Sequence, residues 1–206
     1  VLLKHSIYNL IMILIVDNYD SFVYNIVHYL NLPIEEFIIL RNDHININKI
    51  ASNRIDGIII SPGPMGPEEA GISNEIINRY YKSKPILGIC LGHQCLGSVF
   101  GCVIGQCQNV IHGERSVIKL GDSPLFNGLD NEILAARYHS LYIKEANFNN
   151  SELRVIATLK DGTIMGIQHK IFPVFGLQFH PESILTNENG KKILGNFLKI
   201  VYGEVT

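Results

Sequence analysis

Apolar residues along the first half of the chain fall into short continuous runs that alternate with segments of mixed polarity. Runs of this length and composition predict buried strands, near residues 12–17, 36–40, 56–61 and 85–90. The segments between them predict helices, near residues 20–31, 72–82 and 93–100. Because strands that alternate with helices build parallel sheets, this half of the chain predicts a doubly wound α/β fold.

The second half of the chain is richer in predicted strands. They lie near 102–110, 115–119, 133–137, 153–159, 163–169 and 174–179, and a closing helix is expected at about 189–201. The sheet must therefore be mixed, mostly parallel with antiparallel strands added in the second half. The 206 residues suffice for one substantial core, and the polar stretch 145–152 is expected to be a surface loop.

The apolar run Leu10 to Val16 opens the predicted sheet. It contains seven residues, far fewer than the roughly 18–20 that a membrane-spanning helix needs. We therefore interpret it as the first buried strand and expect no membrane association. Residues 1–11 are expected to be an N-terminal extension, which makes a poor signal peptide, and the folded domain is expected to cover residues 12–202.

The segment Pro85 to Gln94 places a cysteine between two glycines at the point where a strand meets a helix. Gly88 and Gly92 remove side chains that would clash in a sharp strand-to-helix turn, which is the shape of a nucleophile elbow. The thiol of Cys90 is expected to be exposed above the sheet. The backbone N–H of Leu91, at the positive end of the helix, could stabilise a thiolate and later an oxyanion. The alternative is a buried cysteine in a tight turn.

A second apolar run, Val174 to Phe179, ends in His180-Pro181-Glu182. Open α/β sheets place their active sites at the carboxyl ends of their strands, so these side chains could meet Cys90. His180 could accept the thiol proton, and Glu182 could hold the imidazole tautomer and stabilise its charged form. Each residue alone could instead be structural, with Glu182 capping the helix that follows.

A third element, Ser61 to Pro67, is rich in proline and glycine and follows the strand 56–60. Prolines withhold N–H groups and fix φ, so the remaining amides are held in a rigid loop. Gly63 could donate a second hydrogen bond to an oxyanion. The alternative is a loop that only leads into the next helix.

These motifs together resemble the class I (triad-type) glutamine amidotransferases, and within them the glutaminase subunit (component II) of anthranilate synthase and 4-amino-4-deoxychorismate synthase. The resemblance rests on Gly88–Gln94, Ser61–Pro64, Arg137–Leu141 and Gln178–Ser183. The subfamily is indicated by Asp17–Phe22, Arg41–Asp43 and Glu69–Ser73. The match runs from about Met12 to about Tyr202 and implies the flavodoxin-like fold of these enzymes.

The resemblance implies a role for each residue that matches the motifs of the family. Cys90 would be the nucleophile, His180 the base and Glu182 its partner. Further implied glutamine contacts are Gly63, Pro64 and Met65 at the carbonyl end, Gln94, and Ser140 with Leu141 at the amino-acid end. Many relatives have glycine where this chain has Met65, which puts the local conformation of that loop in question.

The resemblance also implies the partner and the product. Ammonia from L-glutamine would pass to a chorismate-binding large subunit, either anthranilate synthase in tryptophan biosynthesis or aminodeoxychorismate synthase in folate biosynthesis, or both. No cofactor is expected in this chain. Two other classes stay open: a cysteine hydrolase of the peptidase or deglycase type, and a non-catalytic scaffold that only regulates a synthase.

Composition narrows the partners and the compartment. The net charge is −2 and basic residues are scattered, so we expect no nucleic acid binding. The four cysteines form no C-x-x-C pair, and neither disulfides nor a metal site is expected. A catalytic thiol requires a reducing compartment. We therefore expect the cytoplasm. Isoleucine and asparagine are abundant, as in A/T-rich genomes such as those of organelles, so the plastid stroma stays open if the protein is organelle-encoded.

Overall fold

The computed structural model describes residues 11–44, 47, 50, 54–107, 113–144 and 152–204. Its strands are β1 (Ile13–Asp17), β2 (Phe37–Arg41), β3 (Gly57–Ile60), β4 (Ile86–Ile89), β5 (Ile104–Gln106), β6 (Glu114–Leu120), β7 (Glu132–Arg137), β8 (Leu141–Ile143), β9 (Leu153–Thr158), β10 (Ile164–His169) and β11 (Val174–Leu177). Its helices are α1 (Val23–Leu30), α2 (Ser73–Tyr80), α3 (Leu91–Val99) and α4 (Asn187–Tyr202), with 3₁₀ turns at Ile34–Glu36, Pro67–Glu69 and Pro124–Phe126.

Nine of these strands form one sheet in the order β2-β1-β3-β4-β11-β10-β9-β6-β7. The pairs from β2 through β11 are parallel, and those from β11 to β7 are antiparallel. A separate antiparallel ribbon joins β5 to β8. The prediction of an α/β fold around a mixed sheet, parallel in its first half, is confirmed.

Helices cover both faces of the parallel half, which explains its continuous apolar strands. Alternate residues of β1 divide between two cores. Ile13 and Ile15 belong to the core that includes residues of α1 and α4, whereas Leu14 and Val16 belong to the core with residues of α2 and α3. The sheet is therefore doubly wound.

The adjacency of β4 and β11 positions the candidate site. The two strands run parallel, with Gly88 opposite Gly176 and Ile89 opposite Leu177. The backbone N–H of Cys90 then donates to the carbonyl of Leu177 at 2.7 Å. The residues that follow each strand consequently emerge side by side at the same edge of the sheet.

Several element boundaries differ from the sequence-based predictions for local physical reasons. The first helix begins at Val23 and not at residue 20, because the Asp17 carboxylate accepts from the N–H of Tyr19 and Asp20, and the Asp20 carboxylate accepts from that of Phe22. The last strand ends at Leu177, after which the N–H of Gln178 donates to Met165.

Some predictions fall on undescribed residues. The predicted strand 102–110 is a strand at Ile104–Gln106, and its end at 108–110 lies outside the described residues. Residues 1–10 of the expected extension and 145–151 of the expected loop also lie outside them. Within the described part of the chain, no helix is long and apolar enough to cross a membrane.

Candidate active site

Cys90 forms the whole turn between β4 and α3. Its backbone has φ 52° and ψ −99°, a conformation that favours glycine and is found at strained nucleophile turns. The glycines on either side are required by close packing. A Cβ atom on Gly88 would overlap the carbonyl oxygen of Gly92, and one on Gly92 would overlap the carbonyl oxygen of Ile60.

The expectation that the thiol of Cys90 is exposed is wrong, since only 6% of the residue is accessible. Cys90 instead borders a cavity of about 160 Å³. The other lining residues are Gly63, Pro64, Met65, Gln94, Tyr138, His139, Ser140 and Leu141. The structure thus gathers around one cavity every predicted glutamine contact except Leu91, which begins α3 next to the cysteine.

His180 and Glu182 form a buried pair. His180 Nδ1 lies 2.6 Å from Glu182 Oε1, and the two residues are 3% and 0% exposed. Burial alone would lower the pKa of His180, but the Glu182 carboxylate and the Cys90 side chain outweigh burial and raise the pKa well above its ordinary value. Nε2 of His180 has no hydrogen-bond partner by geometric criteria among the described residues, and the Cys90 side chain is the other group that interacts with this imidazole.

Aromatic rings hold the His180 imidazole in place. The ring of Tyr138 meets it edge-on with centroids 5.0 Å apart, and the ring of Phe22 does so at 6.3 Å. Asp20 lies close enough to the pair to interact with both charges. Burial raises the pKa of its carboxyl group, the charge of His180 lowers it and that of Glu182 raises it.

The loop that begins at Ser61 is anchored by Asn18, a residue to which the sequence analysis gave no role. Asn18 donates to Ser61 through its backbone N–H (2.9 Å) and its side-chain amide (3.0 Å). Its side-chain oxygen accepts from Asn42 and Ser73, both at 2.9 Å. A Cβ atom on Gly63 would lie 2.6 Å from both the Cβ atom and the backbone carbonyl oxygen of Asn18, so the loop packs directly against this buried residue.

Met65 occupies the left-handed region, with φ 66°, and is 71% exposed. This is the conformation that glycine adopts most readily. Met65 therefore places a largely exposed side chain on a backbone conformation that glycine favours.

Two buried histidines, His93 in α3 and His139 at the cavity, stay uncharged near neutral pH. Burial lowers the pKa of His93 to about 3. Burial, with the nearby charge of Arg137, lowers the pKa of His139 to about 4. His139 nevertheless orders the site, because its Nδ1 lies 2.9 Å from the carbonyl oxygen of Leu141.

Gln178 was also missed by the sequence analysis. It is fully buried, and its Nε2 lies 3.7 Å from Sγ of Cys90. The signal available in the sequence was its position in the same strand-end motif, two residues before His180. Among the described residues, no three histidine, cysteine or acidic side chains are grouped so that they could hold a metal ion.

Residues 14–201 match the family model described as glutamine amidotransferase class-I. The chain is 50% identical to anthranilate synthase component 2 of Cyanophora paradoxa, over 91% of this chain and 98% of that protein. It is 45% identical to aminodeoxychorismate/anthranilate synthase component 2 of Bacillus subtilis, over 94% and 99%. It is also 47% identical to the bifunctional protein TrpGD of Thermotoga maritima, over 91% of this chain but only 32% of that longer protein.

A solved structure has the same fold. A Thermoplasma acidophilum protein assigned as a GMP synthase subunit superposes with a TM-score of 0.79 at 25% sequence identity, and 96% of each chain is covered.

Proposed function

Since the chain belongs to the class-I glutamine amidotransferase family, we propose that it hydrolyses L-glutamine and delivers the ammonia to a chorismate-using synthase subunit, in the first place anthranilate synthase. The chain is an enzyme of the anthranilate synthase component II type. One observation carries the chemical part of the proposal: the buried His180–Glu182 pair, 2.6 Å apart, is electrostatically coupled to a cysteine at a cavity.

The proposed chemistry begins with the Cys90 thiolate attacking the side-chain amide carbon of glutamine. His180, charged by the proton it holds and stabilised by Glu182, gives that proton to the nitrogen as the carbon–nitrogen bond breaks. Ammonia leaves and a glutamyl thioester remains on Cys90. Water that has given a proton to His180 then hydrolyses the thioester to glutamate and frees the thiol.

The tetrahedral oxyanion needs donors in this mechanism. We assign them to the N–H groups of Leu91 and Gly63. Leu91 is the first residue of α3, where N–H groups have no acceptor within the helix and the helix dipole is positive. Loss of one such donor typically costs about 3–4 kcal/mol of transition-state stabilisation, so a shift of the Gly63 loop could act as an on-off control.

The glutamine itself is proposed to lie in the 160 Å³ cavity. The backbone from Gly63 to Met65 would hold the carbonyl end, and Gln94 would contact the substrate. Ser140 and Leu141 would bind the amino-acid end through side chain and main chain. No cofactor and no metal is proposed in this chain, because each step uses only these side chains and backbone groups.

The partner is proposed to be the chorismate-binding large subunit, since the names of the relatives identify them as component 2 of such synthases. A second candidate is aminodeoxychorismate synthase, which is favoured by the Bacillus subtilis relative, because its name includes both synthases. The chorismate chemistry would belong to the partner in either case. A reduced Cys90 is needed throughout, so we place the complex in the cytoplasm or, if organelle-encoded, in the plastid stroma.

The test combines the chain with the large subunit of an anthranilate synthase and follows anthranilate formation with glutamine or with ammonia as nitrogen source. The matched control is the Cys90→Ser variant. We expect glutamine-dependent synthesis that disappears in the variant, while ammonia-dependent synthesis persists.

Other outcomes would redirect the proposal. Activity only with the large subunit of an aminodeoxychorismate synthase would move the chain to folate biosynthesis. Glutamine-dependent synthesis that survives Cys90→Ser would refute the assigned nucleophile. Absence of glutamine-dependent synthesis with both large subunits would refute the proposed partner class.

A further inference from the structure

Gln178 lies between the nucleophile and the proposed glutamine subsite. Its side chain contacts Cys90 Sγ on one side (3.7 Å) and the side chain of Gln94 on the other (3.2 Å). All three residues are buried. The mechanism proposed above gives Gln178 no task, although an amide in this position contacts the reacting sulfur.

The orientation of the Gln178 amide follows from neighbouring groups that can only donate or only accept a hydrogen bond. Leu141 contributes a carbonyl oxygen, which can only accept, so the group of Gln94 that faces it at 3.2 Å is the NH₂. The same NH₂ faces Gln178, which must therefore present its oxygen to Gln94. The remaining NH₂ of Gln178 consequently points at the sulfur of Cys90.

The carbonyl of Leu141 is itself held by a fixed chain of donors. Arg137 can only donate, and its Nε lies 3.1 Å from Nε2 of His139, which must accept. Neutral His139 then carries its proton on Nδ1 and donates to Leu141 at 2.9 Å. The direction of every hydrogen bond from Arg137 to Cys90 is thus set, and the chain ends in a donor at the nucleophile.

We propose that Gln178 is a positioning residue that donates a hydrogen bond to the Cys90 thiolate and links it through Gln94 to the glutamine subsite. A thiolate accepts such a bond more strongly than a thiol, because the sulfur is charged. Gln178 therefore favours the reactive form of the nucleophile and fixes its direction. The part that concerns glutamine rests on the function proposed above.

The experiment measures the rate at which iodoacetamide alkylates Cys90 at neutral pH, with the modified peptide identified by mass spectrometry. Three variants are compared with the wild type: Gln178→Met, Gln178→Glu and Gln168→Met. Gln178→Met keeps the length of the side chain but removes the donor. Gln178→Glu keeps its shape and replaces the donor with an acceptor. Both leave His180 and Glu182, which are coupled to the thiol, in place.

Gln168→Met is the matched control. Gln168 is partly buried and hydrogen-bonded to Ser123 and Arg154, and it lies opposite Phe175 at the beginning of β11, away from Cys90. Gln168→Met removes side-chain amide hydrogen bonds, as Gln178→Met does, but none of them involves Sγ of Cys90. Its alkylation rate is expected to equal that of the wild type.

We expect alkylation of Cys90 in Gln178→Met to be about tenfold slower than in the wild type, as for loss of a hydrogen bond to a charged group. Gln178→Glu should be at least as slow. In the complex with the large subunit, kcat for glutamine should fall about tenfold in Gln178→Met while KM changes less than about threefold, because a positioning role acts on the transition state.

Wild-type alkylation rates in Gln178→Met would overturn the proposal, and so would an equal loss in Gln168→Met. If Gln178→Met fails to fold, the alkylation rate of the isosteric Gln178→Glu is compared with that of the wild type in its place. Alkylation needs neither glutamine nor a partner, so the two proposals fail separately. If alkylation is slow in Gln178→Met but the wild type has no glutaminase activity, only the proposed function is refuted. If the wild type is an active glutaminase but alkylation in Gln178→Met is as fast as in the wild type, only the role of Gln178 is refuted.

Discussion

Cys90, the proposed nucleophile, has a backbone conformation that a residue with a side chain disfavours. At φ 52° and ψ −99°, a residue with a Cβ atom stores strain that glycine does not. We predict that Cys90→Gly and Cys90→Ala both abolish glutamine hydrolysis, and that the free energy of unfolding of Cys90→Gly exceeds that of Cys90→Ala by about 1 kcal/mol. Urea denaturation measures the difference. An alanine variant that is the more stable of the two would show that the turn is unstrained.

Glu182 raises the pKa of His180, so the pair should respond to pH in a defined direction. We predict that Glu182→Gln lowers the pKa of His180, as measured by NMR titration of its ring, and reduces kcat for glutamine by about a hundredfold or more. A variant in which both values match the wild type would exclude Glu182 as the orienting carboxylate.

The sign of the effect on stability follows from the same raised pKa. A histidine whose folded-state pKa lies above its unfolded value of about 6.5 stabilises the fold fully below that pH, and the contribution is lost as pH rises through the folded-state pKa. The wild type should therefore exceed Glu182→Gln in free energy of unfolding by more near pH 6 than at a pH above the folded-state pKa. Urea titrations at the two pH values test this.

Single side chains mark the limit of prediction from sequence at this scale. Cys90, His180 and Glu182 could be proposed because reactive side chains that follow apolar strands point to chemistry at the edge of a sheet. Gln178 lies in one of the same motifs, but the contacts of Gln178 and Asn18 could not be predicted, because their partners lie as far as 88 and 55 residues away in the chain. Exposure of Cys90 was misjudged for the same reason, since the residues around its cavity come from separate segments.

At the scale of elements, the contact between α3 and β3 depends on the absence of a Cβ atom at Gly92. A Cβ atom on Gly92 would overlap the carbonyl oxygen of Ile60, and backbone on both sides leaves little room for adjustment. We predict that Gly92→Ala lowers the free energy of unfolding by about 1–3 kcal/mol, as overpacking does. It should also reduce glutaminase activity, since α3 carries Leu91 and Gln94.

The matched control is Gly195→Ala in α4. A Cβ atom at Gly195 would meet nothing within 4 Å, and the residue lies inside the helix. Alanine is favoured over glycine in helices by about 1 kcal/mol, so this variant should be more stable than the wild type and equally active. Thermal unfolding of both variants makes the comparison. Equal effects of the two substitutions would show that close packing at Gly92 is unimportant.

The positions of the strands along the chain were predicted better than the order in which the strands pair in the sheet. Continuous apolar runs identify β1, β3, β4 and β11 to within two residues at each end, because strands buried on both faces need no polar positions. The three-residue strand β8 has no such signal and was not predicted. The order β9-β6-β7 and the placement of β11 beside β4 depend on tertiary packing, which periodicity does not encode.

At the scale of the whole molecule, the parallel and antiparallel halves share a hydrophobic core. One cluster includes Ile13 of β1 and Phe175 of β11 together with Ile118 of β6 and Ile133 of β7. We therefore predict that the described fold unfolds in a single step. Loss of helical circular dichroism and loss of protection of the fully buried Cys95 from alkylation should coincide along a urea gradient. Two separated transitions would mean that the halves are stable independently.

The pairing of β4 with β11 has a consequence for folding during synthesis on the ribosome. Cys90 and Gln178 are 88 residues apart, so the cysteine leaves the ribosome long before the segment that carries Gln178 and His180. At about 5–20 residues per second, the interval is roughly 5–20 seconds. Throughout this interval, β4 lacks its neighbour β11, and Cys90 lacks the imidazole of His180. A chain in which β11 has not yet been made can therefore neither complete the proposed site nor cover this apolar edge, and both become possible together once β11 has been added.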